Sequence, residues 1–176
     1  MHFVFMGVSG SGKSTVAELV AERLSLPFAE ADEFHPRHNT TKMARGEPLT
    51  DEDRGPWLAA LAQWIADHES GGQPTVMACS ALRRAYRQRL REGASSVHFV
   101  HLDGPRDLIA DRLRQRSGHF MPVELLDSQM ATLEPLRPDE NGTTLDISRP
   151  VPQITEDAVR TVAAALGRVP RARHRR

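Results

Sequence analysis

Gly7-Val8-Ser9-Gly10-Ser11-Gly12-Lys13-Ser14 is the stretch on which the reading of this 176-residue chain turns. It fits the pattern G-x-x-x-x-G-K-[ST], and its surroundings fit too. His2–Met6 before it is a short apolar run, as in a strand buried on both faces. After it, Val16, Ala17, Leu19, Val20 and Leu24 recur at helical spacing, with Glu18, Glu22 and Arg23 on the other side. A glycine-rich turn between strand and helix lets successive backbone N–H groups curl inward around phosphate oxygens. The positive end of the helix dipole adds to that field. Lys13 supplies a mobile cation for the β- and γ-phosphates. The Ser14 hydroxyl offers a hard oxygen to Mg²⁺. The plain alternative, a chance match in a glycine-rich turn, does not explain the strand and helix on either side.

Outward from this loop the pattern repeats. Pro27–Ala31, Thr75–Cys79, Val97–Leu102 and Thr144–Ile147 read as further strands. Trp57–His68, Ala81–Arg91, Arg106–Arg116, Val123–Leu133 and Gln153–Leu166 read as helices, with Ser70-Gly71-Gly72 ending the first of these. Five strands alternating with helices call for an α/β fold with a parallel sheet covered on both faces. Two segments interrupt the alternation. Residues 35–56 are polar and broken by Pro36, Gly46, Pro48, Gly55 and Pro56, and read as an insertion of short helical pieces. Residues 117–122 form a polar break that reads as a small lid. The kinase-sized domain is expected over 1–166, followed by a disordered basic tail over 167–176.

Composition narrows the function. The chain has 23 basic and 23 acidic residues, a balance that argues against nucleic acid or an anionic membrane as partner. The balance is uneven: Arg168, Arg171, Arg173, Arg175 and Arg176 close the chain, and without them 18 basic residues face 23 acidic ones. Cys79 is the single cysteine, so no internal disulfide forms, and a reducing, cytoplasmic location is expected. The apolar opening MHFVFM is too short for a signal peptide and lacks a basic flank. No apolar run reaches the roughly 20 residues that span a bilayer. A GTPase would show N-K-x-D, which this sequence lacks. Small size with a phosphate loop favours a kinase for a nucleotide or small metabolite.

Three further stretches suggest the acceptor side. Glu30-Ala31-Asp32-Glu33-Phe34-His35-Pro36 follows the second strand, whose end lies beside the phosphate loop in such sheets. A carboxylate there, Asp32 foremost, can accept the proton or hydrogen bond of an attacking hydroxyl. The alternative is a solvated acidic turn. Ser80-Ala81-Leu82-Arg83-Arg84-Ala85-Tyr86-Arg87 follows the third strand. Arg83 and Arg87 lie at i,i+4 and suit an anionic substrate, although an arginine-rich solvated face is the simpler reading. Arg112, Arg114 and Arg116 precede the break at 117–122, where closure could bring a cation onto the transferring phosphate. Cys79 reads as a small buried apolar residue.

At these words the chain resembles the gluconate kinases of the shikimate-kinase and nucleoside-monophosphate-kinase group, over residues 3–166. The words are A-D-E-F-H-P at 31–36, K-M-A-R-G-E-P-L-T-D-E-D-R-G-P-W at 42–57, C-S-A-L-R-R-A-Y-R at 79–87 and R-S-G-H-F at 116–120. The resemblance implies a three-layer P-loop kinase sandwich with strand order 2-3-1-4-5. It implies transfer of the ATP γ-phosphate to the 6-hydroxyl of D-gluconate, with Mg²⁺, in a possible homodimer. It places Gly7, Ser9, Gly10, Ser11, Gly12, Lys13, Ser14 and Thr15 at the phosphates, with Ser14 on the metal. Arg116 and the Arg149–Pro150 turn would flank the adenine. Lys13, Asp32 and Arg116 would be catalytic. Asp32, His35, Ser80, Arg83 and Arg87 would line the acceptor site. Three departures stand out. Glu30 replaces an aspartate common in relatives and reaches one methylene further, so its part at Mg²⁺ is open. The lid offers His119 where shikimate kinases carry an arginine, which leaves Arg116, Arg112 and His119 as candidate lid cations. Cys79-Ser80-Ala81-Leu82 stands where shikimate kinases have a triple glycine, which counts against shikimate. A kinase for shikimate or a nucleoside monophosphate, or a nucleotide-binding regulatory module, are the alternatives.

Overall fold

A computed structural model describes residues 1–115 and 123–167. The expected lid at 117–122, Arg116, and the tail beyond Gly167 lie outside the described residues. Five parallel strands, β1 (His2–Met6), β2 (Phe28–Glu30), β3 (Thr75–Ala78), β4 (Val97–Asp103) and β5 (Gly142–Asp146), form one sheet in the order β2-β3-β1-β4-β5. This is the order that the resemblance implies. β1 is central because it is apolar from Phe3 to Met6, and all five of its residues are buried.

Strand alternation divides the core in two. Phe3, Phe5, Val76, Ala78, Val100 and Leu102 face α1 (Lys13–Leu24) and α7 (Val151–Ala165), meeting Val16, Val20, Ile154, Ala158 and Val162. Val4, Met6, Met77, Cys79, Val97 and Phe99 face α3 (Asp51–Ser70) and α4 (Arg84–Arg91), meeting Trp57, Leu58, Leu61, Ile65 and Leu90. Two faces with a helix layer on each are the three-layer arrangement that alternating βα units require. The remaining helices are α2 (Arg37–Ala44), α5 (Arg106–Gln115) and α6 (Val123–Thr132). No helix among the described residues is long and apolar enough to cross a membrane.

Two helix starts differ from expectation. α3 begins at Asp51, six residues before Trp57, and runs through Pro56. Thr50 caps it: Asp53 N donates to Thr50 Oγ1 (3.2 Å) and Thr50 N donates to the Asp53 carboxylate (2.9 Å). That reciprocal cap, with three acids in the first turn, outweighs the hydrogen bond Pro56 removes. α4 begins at Arg84 and not at Ala81, because Ala81 is held left-handed at φ 44° and its neighbours serve other bonds, described below.

Two buried histidines, His2 and His101, and the half-buried His98 give the fold a pH dependence. His2 Nε2 donates to Glu69 Oε2 (2.7 Å), and its Nδ1 is hydrogen bonded to Thr75 Oγ1 (2.8 Å). Burial pushes the pKa of His2, His98 and His101 below the ordinary 6.5. As pH falls the unfolded chain takes up these protons first, so stability is full above 6.5 and declines below it. The melting temperature should therefore fall steadily from about pH 7.5 to about pH 5.5. A flat profile in a differential-scanning series would contradict this.

Candidate active site

The phosphate loop is shaped by what its glycines lack. Gly7 has φ 144°, and a Cβ there would lie 2.8 Å from both the Leu102 carbonyl oxygen and Ser11 Oγ. Only glycine lets β1 turn into the loop at that spot. Gly12 (φ 89°) is the N-cap of α1 and faces open space. No side chain caps this helix start, and no acid sits in its first turn. A helix N-terminus with neither a capping side chain nor an acid of its own fits a polyanion. Within the loop, Ser11 N donates to the Val8 carbonyl (3.2 Å), and Ser11 Oγ is buried without a partner among the described residues.

The carboxylates expected opposite this loop lie at the end of β2. Burial pushes the Glu30 carboxyl up. The Ser14 hydroxyl works against that shift, the Asp32 charge adds to it, and Lys13 opposes it. Lys13, Ser14, Glu30 and Asp32 thus share one electrostatic neighbourhood at the ends of β1 and β2. Glu30 and Ser14 together form the hard oxygen set that Mg²⁺ prefers alongside phosphate oxygens, so the residues fit the cation. Asp32 is exposed on the single-turn helix over Ala31–Phe34. Cys79 is fully buried beside them, and burial pushes its thiol pKa up to about 12, which makes it a packing residue.

On the acceptor side, His35 stacks on Trp57 with ring centroids 4.3 Å apart. Asn39 Nδ2 reaches His35 Nδ1 (3.2 Å) and donates to the Asp53 carbonyl (2.8 Å). Burial lowers the His35 pKa, the Asp32 charge raises it and Arg54 lowers it, so all three groups are neighbours. Arg54 and Arg83 both lie over the Tyr86 ring, at 5.6 and 5.8 Å. Tyr86 Oη donates to Asp51 Oδ1 (2.6 Å), and Arg83 Nη1 lies 3.4 Å from Asp51 Oδ2. Arg54 carries no signal in the sequence, where it ends the acidic run Asp51-Glu52-Asp53 just before Gly55-Pro56. Its spacing from Arg83 carries no motif.

Arg87 has a different setting from the one expected. Its side chain is completely buried and paired with Glu140, Nε to Oε1 at 2.6 Å and Nη2 to Oε2 at 2.9 Å. Nη1 also donates to the carbonyls of Ala81 (3.1 Å) and Glu134 (3.0 Å). Every guanidinium nitrogen is bonded to protein, so Arg87 holds the segment after β3 in place instead of facing a ligand. The Ser80 carbonyl on that segment accepts from Gly7 N (3.3 Å), which ties it to the phosphate loop. Arg87→Met should lower stability by about 3–5 kcal/mol by leaving Glu140 buried and unpaired. Urea unfolding measures it, and an unchanged midpoint with a raised acceptor KM would return Arg87 to the ligand set.

At the far side, Arg149 pairs with Asp157 (2.9 Å) and Pro150 is the N-cap of α7. Arg112, a candidate lid cation, donates instead to the carbonyls of Ile147 (2.6 Å) and Arg149 (3.4 Å) and so supports that turn. Arg116 and His119, the other two candidates, lie outside the described residues.

Comparison with known proteins agrees with this geometry. Residues 3–136 match the family described as AAA domain. Gluconokinase of Gluconobacter oxydans is 50% identical over 137 residues, 78% of this chain and 77% of its own length. The crystal structure of a gluconokinase from Sinorhizobium meliloti superposes with a TM-score of 0.84 at 44% identity, covering 93% of this chain and 91% of that one. An unliganded sugar kinase from Janibacter sp. does so with a TM-score of 0.84 at 51% identity, covering 96% and 95%. With the uncapped phosphate loop, the strand order and this identity over most of its length, the chain belongs to the gluconokinase family of P-loop kinases.

Proposed function

We propose that the chain transfers the γ-phosphoryl group of ATP to the 6-hydroxyl of D-gluconate, giving 6-phospho-D-gluconate and ADP. The observation that carries this reading is the meeting of two settings around one pair of carboxylates. Lys13 and Ser14 of the phosphate loop act on Glu30 from one side, and Asp32 links Glu30 to His35 on the other. A donor site and an acceptor site therefore share an edge. The acceptor rim carries Arg54 and Arg83, which suits a hydroxy acid with a free carboxylate. The family's name supplies the identity of that acid.

The mechanism follows from the residues. The N–H groups of Gly10 and of Gly12 to Thr15 cradle the triphosphate, and the Lys13 ammonium faces charge that grows on the transferring oxygens. Ser14 directly and Glu30 alongside it would hold Mg²⁺. When bound, that cation neutralises the β- and γ-oxygens. Asp32 accepts the proton of the acceptor hydroxyl as the new O–P bond forms and the bond to the ADP oxygen breaks. His35, Ser80 and Arg83 orient the acceptor. Arg149 and Pro150 border the base, and Arg116 joins them on the strength of the resemblance. A cytoplasmic setting fits the lone reduced cysteine, and a homodimer completes the proposal, checked by sedimentation equilibrium.

An acceptor panel with Mg-ATP and coupled ADP detection is the test. Gluconate should drive ADP release, with shikimate and nucleoside monophosphates at background. Turnover of one of those instead would overturn the acceptor assignment. Tight ATP binding without acceptor-dependent ADP release would favour a regulatory nucleotide module.

A further inference from the structure

We propose that Gln129 is a positioning residue that locks the phosphate loop onto helix α6. Its carboxamide grips Ser9 twice: Ser9 N donates to Gln129 Oε1 (2.7 Å), and Gln129 Nε2 donates to Ser9 Oγ (3.3 Å). Ser9 lies between Gly7 and Gly10, both at positive φ, in the part of the loop with the most conformational freedom. A two-point clamp there sets the position of the loop, and hence of the phosphoryl group it presents, relative to the acceptor side.

The clamp is useful because α6 is itself fixed. Leu126 is buried in the core with Ile109 and Ile154. Arg106 of α5 makes a two-pronged pair with Asp127, at 2.6 and 3.0 Å. Just past the helix end, Glu134 binds the segment after β3. Its N–H donates to the Leu82 carbonyl (2.7 Å), and its Oε2 accepts from Arg84 N (2.7 Å), the first residue of α4. One helix and its extension therefore hold Ser9 on the donor side and Leu82–Arg84 on the acceptor side. In-line transfer depends on that spacing, since a displacement of about 1 Å costs roughly a hundredfold in rate.

The inference rests on the proposed ATP site, and the experiment separates the two. Wild type, Gln129→Ala and Gln129→Glu are compared in steady-state turnover, ATP calorimetry and thermal melts. Gln129→Ala should lower kcat by roughly ten- to a hundredfold. The ATP dissociation constant should stay within about threefold, with the melt close to wild type. Gln129→Glu can keep both contacts, because the Ser9 hydroxyl can donate to a carboxylate, yet it sets a negative charge beside the phosphate cradle. It should weaken ATP by about tenfold or more. A wild-type kcat in Gln129→Ala would overturn the proposal. So would a kcat loss matched by a lost melt and lost ATP binding, which would mark a general packing role. Wild-type protein that fails to bind ATP would remove the ATP reading itself, a different result from variants that bind and turn over like wild type.

Discussion

Lys13→Ala is expected to lower kcat by at least about a thousandfold. Lys13 opens α1 at an N-terminus with no capping side chain and no acid in its first turn. Its charge already stabilises the Glu30 carboxylate, so it stands where donor and acceptor settings meet. The loop N–H groups remain in the alanine variant and still bind the triphosphate, which the helix dipole continues to favour. What disappears is the cation facing charge that grows only as the phosphoryl group moves. An interaction made mainly in the transition state shows in kcat far more than in ground-state binding. Steady-state rates with calorimetry for ATP measure the split. A variant within tenfold of wild type would remove Lys13 from the catalytic set.

Asp32→Asn should lower kcat by roughly a hundred- to ten-thousandfold, the range for losing a positioned general base. Asparagine keeps the shape and can still meet the acceptor hydroxyl, but it takes no proton from it. Asp32 is exposed at the end of β2, away from the packing of either core cluster, so the substitution leaves the fold intact. ATP affinity should change by no more than about threefold, because the loop contacts are untouched. Equal losses in kcat and ATP affinity would instead make Asp32 part of the nucleotide site. Together the two substitutions separate charge stabilisation at the phosphate from proton acceptance at the acceptor.

Much of the fold was legible because its signals are local. The apolar run His2–Met6, the glycine spacing through Gly12 and the helical period after Ser14 each lie within one turn or strand of the next. Where local signals conflicted, reading stopped short. Pro56 argued for a helix start at Trp57, yet the T-x-x-D cap at Thr50 begins it at Asp51. Ala81 looked helical from composition, but its left-handed backbone is held by Arg87 and by the bond between Ser80 and Gly7.

The site divides the same way. The sequence by itself determined the phosphate loop, the strand that feeds it, the helix behind it and the carboxylates beyond β2, because a backbone cradle for phosphate needs glycines and a lysine at fixed short spacing. Only the tertiary structure decided which arginine faces outward and which is consumed inside. Arg83 and Arg87 sit one turn apart on neighbouring backbone, but Arg87 meets Glu140, 53 residues away, and is lost to solvent, while Arg83 joins Arg54 over Tyr86. Gln129 reaches Ser9 across 120 residues with no motif to announce it. Contacts between distant segments depend on how the layers pack, and packing is settled by the whole core at once.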